Sequence, residues 1–226
     1  MKLGVLFSGG KDSVYACHMA LLKEEVSCLI TLRSSNKESY MFHTPNIDLT
    51  MMQAEAAGIP LLRYETAGEK EEELKDLKAA VSLAMDNYGI EGIVTGAVMS
   101  VYQASRVQKI CDELDLFCFN PLWYVNQEKY MNSLIEDGFE VIIAGVYSCP
   151  FDEKWPGRVI DRKTLAELKK IRDRYHITLT GEGGEYESFV CDAPFFKKRI
   201  VIDESSCSYR NYNGTLSITS AHLEDK

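Results

Sequence analysis

The chain has 226 residues, 46% hydrophobic and 26% charged, enough apolar material to bury a full core in one large unit or two intimate ones. Its formal net charge of −9 argues against broad contact with a polyanion, because nonspecific nucleic-acid binding rests on Lys and Arg neutralising phosphates. No apolar run approaches the ~18 residues of a membrane span. The opening Met1-Lys2-Leu3-Gly4-Val5 also lacks the separate basic and apolar regions of a cleavable signal, so the cytoplasm is the expected compartment.

Residues 3–7 read as a buried strand, and 13–24 as a helix with apolar positions at Val14, Cys17, Ala20 and Leu21. A second strand spans 26–32. Asn46 or Asp48 is placed to cap a helix running through Met51, Met52 and Ala56 to a stop at Gly58, and 59–64 is a third strand. A charged segment from Glu69 leads into a long helix ending near Gly89; a fourth strand at 92–96, a helix at 100–114 and a short strand at 117–120 follow. Strands alternating with helices of this length predict an α/β fold: a doubly wound, mostly parallel sheet of Rossmann-like type, covered on both faces.

The pattern changes after Trp123. A helix at 128–137, two short strands around 141–147 and a helix at 162–175 precede a glycine-rich segment. The chain closes on strands at 199–203, 208–212 and 215–219, the last two joined by a turn at Asn213-Gly214. Residues 1–124 thus form a nucleotide-binding part, and 125–226 a smaller α+β part that packs against it and walls a cleft. Seven cysteines, at 17, 28, 111, 118, 149, 191 and 207, form no Cys-x-x-Cys pair, so zinc knuckles and redox motifs are not expected and buried free thiols are. Ordinary frequencies among oligomers make a homodimer the default assembly.

The chemistry starts at Ser8-Gly9-Gly10-Lys11-Asp12-Ser13. A turn that follows a strand and opens a helix presents backbone N–H groups and the positive end of the helix dipole to an anion. It is not the phosphate loop G-x-x-x-x-G-K-[ST]: Val5 stands where the first glycine is needed, and an acid follows Lys11. In this context SGGKDS resembles the pyrophosphate loop of the N-type ATP pyrophosphatases, which split ATP to AMP and pyrophosphate while adenylating a substrate oxygen. The resemblance implies an adenine-nucleotide alpha-hydrolase type of fold. It also implies that Ser8, Gly9, Gly10 and Ser13 hold pyrophosphate oxygens, that Lys11 neutralises the leaving charge, and that Asp12 holds magnesium.

Further signatures are Thr95-Gly96-Ala97-Val98 with Ser100, Tyr102 and Arg106, then Asn120-Pro121-Leu122-Trp123, then Gly181-Glu182-Gly183-Gly184-Glu185-Tyr186-Glu187. In this order and spacing, the whole chain looks like a member of the diphthine-ammonia ligase family, in the minimal archaeal-type form without the additional C-terminal domains of eukaryotic relatives. That family performs the last step of diphthamide synthesis, amidating the carboxylate of a modified histidine on elongation factor 2 with ATP and free ammonium. The resemblance implies ATP as substrate with Mg²⁺, and elongation factor 2 bearing diphthine as partner, with neither nucleic acid nor membrane. An adenylating enzyme for tRNA or a small carboxylate, and a nucleotide-binding module without turnover, are the alternatives.

Lys11, Asp12, Arg106 and Glu185 are the expected catalytic groups, Arg106 reaching a phosphate. Gly96, at a strand's C-terminal end, is expected to let the nucleotide approach, and His43 to cover the adenine. Glu182, Gly183, Gly184, Glu185, Tyr186 and Glu187 are expected to face the substrate. Acids and aromatic faces suit both ammonium and a trimethylammonium head. Glu182, Glu185 and Tyr186 are accordingly the expected cation binders, with Trp123 and Tyr124 as cage walls or Trp123 as a core residue.

Overall fold

The computed structural model describes residues 1–34, 45–68 and 72–226. Five strands, β1 (Lys2–Leu6), β2 (Glu25–Ser34), β3 (Leu61–Thr66), β4 (Gly92–Val94) and β5 (Phe117–Phe119), pair in parallel in the order β3-β2-β1-β4-β5. Helices α1 (Lys11–Leu21), α2 (Thr50–Ala57), α3 (Glu72–Tyr88) and α4 (Val101–Glu113) make the crossovers. Side chains alternate along each strand, so the sheet has two apolar faces. Leu3, Val5, Leu29 and Val94 pack with α1 and α2, whereas Cys28, Ile30, Leu62 and Ile93 pack with α3 and α4. Strand order reverses between β1 and β4, and the crevice at their carboxyl ends is where such sheets bind ligands.

Beyond β5, α5 (Gln127–Glu136), β6 (Glu140–Val146), α6 (Arg162–Tyr175), β7 (Tyr186–Asp192), β8 (Lys198–Arg210) and β9 (Asn213–Asp225) build a second, antiparallel sheet in the order β7-β6-β9-β8. The α1 side of the first sheet and the α5–α6 side of the second share one core, including Val14, Met131, Leu134, Leu165 and Val190. The second sheet also grips the turn after β1. Val190 N–H donates to Gly9 O (3.1 Å), and the buried Gln53 amide donates to Gly9 O (2.9 Å) and Val190 O (2.8 Å).

Several sequence expectations are corrected. The stretch read as two strands at 141–147 is one strand, with a register irregularity between Ile143 and Gly145. β7 was not foreseen: Glu187 and Ser188 interrupt its apolar pattern because they face the cleft and the start of α1. The strands at 199–203 and 208–212 are one, bulged at Ile202/Glu204/Ser205.

The closing turn is Asn211-Tyr212, both with positive φ, not Asn213-Gly214. Gly214 lies in β9 opposite Tyr209, where a Cβ would stand 2.6 Å from the Tyr209 ring. Asn46 stands at the N-cap of a short 3₁₀ turn (Ile47–Leu49), but its side chain makes no capping bond; its amide bonds Leu216 O and Ile218 N–H of β9 instead. Cys17, Cys28, Cys111 and Cys191 are buried as expected, but Cys149 and Cys207 are exposed. Among the described residues, no helix is long and apolar enough to cross a membrane.

Candidate functional site

A cleft of about 450 Å³ opens where β1 and β4 diverge, lined by the SGGKDS turn, by Thr95 to Ala97 after β4, and by the loop from Thr180 into β7. Leu6, Ile30, Leu32 and Ile47 make one end of it apolar. The turn is held from outside the first sheet. Gly9 has φ +79°, a left-handed conformation that glycine adopts without strain, and a Cβ there would meet the Gln53 amide oxygen at 2.3 Å. The first free N–H of α1, on Lys11, donates to Ser188 Oγ (3.1 Å), while Ser13 Oγ accepts from Ser8 N–H (3.2 Å) and donates to Gly10 O (3.1 Å).

Lys11 is 2% exposed. Its ammonium is satisfied by Asp12 Oδ2 (2.9 Å) and Thr180 O, and lies 5.3 Å from the centre of the Tyr186 ring. The other Asp12 oxygen accepts from the Tyr130 hydroxyl (2.9 Å). Burial first, then the Asp12 charge, holds the Tyr130 and Tyr186 phenols well above their ordinary range, so both stay protonated and act as donors. The Tyr186 hydroxyl donates to Leu179 O (2.7 Å). Tyr186 is thus a wall behind Lys11.

Gly96 lines the cleft, and its lack of a side chain also serves the packing beneath it. A Cβ would fall 2.7–2.8 Å from the Asp12–Ser13 peptide, so glycine lets the first turn of α1 seat against the end of β4. Asn120, with its amide turned to donate, reaches Ala97 O (2.9 Å) and Thr95 O (3.0 Å) and fixes that loop.

The three glutamates of the glycine-rich segment, equivalent in sequence, have three different fates. Glu182 Oε1 accepts from the N–H groups of Met99 (3.0 Å) and Ser100 (2.8 Å), closing the entry to α4. Glu185 is turned away from the cleft: its carboxylate takes the Thr178 N–H (2.6 Å) and hydroxyl (2.9 Å), which corrects the expectation that it is catalytic or cation-binding. Glu187 lines the cleft, and its Oε2 is buried without a partner. Burial pushes its pKa up from 4.5 to about 7, with Lys11 opposing part of the rise.

Arg106, the expected phosphate contact, lies on α4 against its own helix. Its guanidinium stacks on Tyr102, 3.4 Å from the ring centre, and Gln103 and Val107 are the α4 residues that line the cleft. Trp123 is 37% exposed, so it is not a core residue; it packs edge-on against the exposed Tyr124, whose N–H donates to Val98 O (2.8 Å). His43 lies outside the described residues.

Residues 1–117 match the family described as diphthamide synthase N-terminal domain, and residues 126–223 its C-terminal domain. The proteins named diphthine–ammonia ligase in Rattus norvegicus and Homo sapiens are each 32% identical to the chain, across 100% of it and 94% of their own length. The chain belongs to the diphthamide synthase family. A relative of the same name in Schizosaccharomyces pombe is 32% identical over 90% of this chain and 36% of its own length. The expectation that eukaryotic family members carry additional domains is therefore corrected for the mammalian ones, and the compact form is not an archaeal hallmark. The crystal structure of a predicted subunit of tRNA methyltransferase from Methanocaldococcus jannaschii aligns with a TM-score of 0.45 at 18% identity, covering 86% of this chain and 98% of that one.

For this family member, sequence reading missed Gln53, Tyr130, Thr178 and Ser188, which hold the loop and its neighbours. Gln53 alone left a signal, a single amide inside the otherwise apolar Met51-Met52-Gln53-Ala54 run.

Proposed function

We propose that this protein is the ATP-dependent ligase that converts the diphthine carboxylate on the modified histidine of elongation factor 2 to the carboxamide of diphthamide. It takes nitrogen from ammonium and releases AMP and pyrophosphate. What carries the reading is the family match over both parts of a chain whose SGGKDS turn opens onto the cleft at the sheet's switch point. Forming an amide from a free carboxylate is uphill in water because the oxygen leaves poorly. Attack of that carboxylate on the α-phosphorus of ATP gives an acyl-adenylate, whose AMP leaves readily.

In this reading Ser8, Gly9, Gly10 and Ser13 hold the departing pyrophosphate at the start of α1. Lys11, fixed by Asp12 and Thr180 O, offsets its growing charge without having to reorganise. The apolar end formed by Leu6, Ile30, Leu32 and Ile47 suits the adenine. Mg²⁺ accepts a single protein carboxylate when substrate phosphates supply other ligands. The Asp12 side chain, 30% exposed, fits that part. Residues 1–124 carry the nucleotide, residues 125–226 supply the wall toward the acyl group, and the exposed Trp123 and Tyr124 meet the protein substrate. Its substrate belongs to translation, so the enzyme works in the cytoplasm.

The test is incubation with elongation factor 2 bearing diphthine, ATP, Mg²⁺ and ammonium, following AMP and the mass of the modified histidine peptide. Conversion of carboxylate to carboxamide with matching AMP is expected. ATP binding with the peptide unchanged would refute the assignment.

A further inference from the structure

The Glu187 carboxylate has no task in binding ATP, since a buried anion repels phosphates. It is also an expensive group to bury without a partner. Lys11, the cation nearest to its charge, is already committed to Asp12 and Thr180 O. The Thr180 hydroxyl, also lining the cleft, is buried with no partner. Across the strand pair, Glu187 stands opposite Gly145, and the Tyr147 side chain folds back over that glycine: a Cβ at 145 would lie 2.2 Å from the Tyr147 hydroxyl. That hydroxyl is buried beside Thr215 without a hydrogen bond of good geometry. Only glycine at 145 leaves it room beside Glu187.

We propose that Glu187, with the Tyr147 and Thr180 hydroxyls, binds the ammonium substrate and takes its proton. The assignment rests on the ligase reading above. Ammonium is a compact cation carrying several N–H donors, which matches one carboxylate and two hydroxyl acceptors in a confined place. Mg²⁺ demands about six oxygen ligands in octahedral geometry, and among the described residues no group of three or more His, Cys, Asp or Glu could hold a metal ion. A trimethylammonium head has no N–H to give and would leave both hydroxyls unsatisfied.

The step balances as follows. Ammonium gives one proton to Glu187 Oε2, and the freed ammonia forms the C–N bond at the acyl carbon. The C–O bond to AMP breaks with its electron pair going to the phosphate oxygen, and the second proton leaves the nitrogen for water. Between turnovers Glu187 returns its proton to solvent. A carboxylate raised toward neutrality by burial is a better base than an ordinary one, and proton transfer to such a group contributes roughly 10²–10⁴-fold.

The experiment measures acyl-transfer product per pyrophosphate released on diphthine-bearing elongation factor 2, the carboxamide with ammonium and the hydroxamate with hydroxylamine as nucleophile. Hydroxylamine is already neutral near pH 7 and needs no base. For Glu187→Gln the yield per pyrophosphate with ammonium is expected to fall by roughly 10²-fold, with the adenylate lost to water, and hydroxylamine is expected to restore coupling. Tyr147→Phe is expected to raise KM for ammonium while leaving KM for ATP in place. An unchanged yield, a loss that hydroxylamine does not rescue, or a parallel loss of pyrophosphate release in Glu187→Gln would overturn the subsite. Wild type that releases no pyrophosphate on this substrate would instead refute the ligase reading itself.

Discussion

The burial of Glu187 can be read as stability without any substrate. In the fold its pKa stands at about 7 against 4.5 for the free group, a gap of about 2.5 pH units. The native state therefore holds a proton that the unfolded chain has lost between those values, and stability falls as pH rises through that window. Each unit corresponds to 1.36 kcal/mol, so the loss from pH 4.5 to about pH 8 is on the order of 3 kcal/mol. Glutamine is neutral at every pH and nearly isosteric with the protonated acid. Glu187→Gln should match wild type near pH 4.5 and exceed it at about pH 8 by that amount, roughly 6–12 °C in Tm for a chain this size. Urea or thermal unfolding of both proteins at the two pH values, without nucleotide, measures it. A difference that does not grow with pH would mean that the carboxylate is hydrated or paired and that the burial argument fails.

Replacing Glu185 with Gln should lower stability by about 1–2 kcal/mol through weaker bonds to Thr178, with KM for ammonium unchanged; steady-state kinetics beside unfolding curves check this. Lys11→Met keeps the buried stem but removes the charge beside the pyrophosphate, and AMP formation should fall about 10²–10³-fold, read by single-turnover assay. Gly96→Ala places a methyl against the Asp12–Ser13 peptide and should cost about 1–3 kcal/mol in denaturation, together with weaker ATP binding by calorimetry.

Much of this protein is local and therefore legible along the chain. A buried run ending in SGGKDS and continuing as a helical pattern specifies strand, anion-binding turn and helix without distant help, because backbone N–H groups and a dipole are all that the turn needs. Alternating strands and helices of sufficient length likewise dictate a parallel sheet, since parallel neighbours need crossovers. What stayed hidden depends on partners remote in sequence. Glu182, Glu185 and Glu187 are one residue type in one motif, and their roles separate only when the entry to α4 claims the first, Thr178 claims the second and the strand opposite, with Tyr147, buries the third. The closing turn sits at Asn211-Tyr212, and the glycine at 214 instead makes room in the strand for the Tyr209 ring. Sequence by itself determined the nucleotide loop and the sheet that carries it. Tertiary structure decided which carboxylate keeps a free oxygen, because a side chain's charge state and availability are set by what desolvates it and what bonds it, and those neighbours are assembled only by the fold.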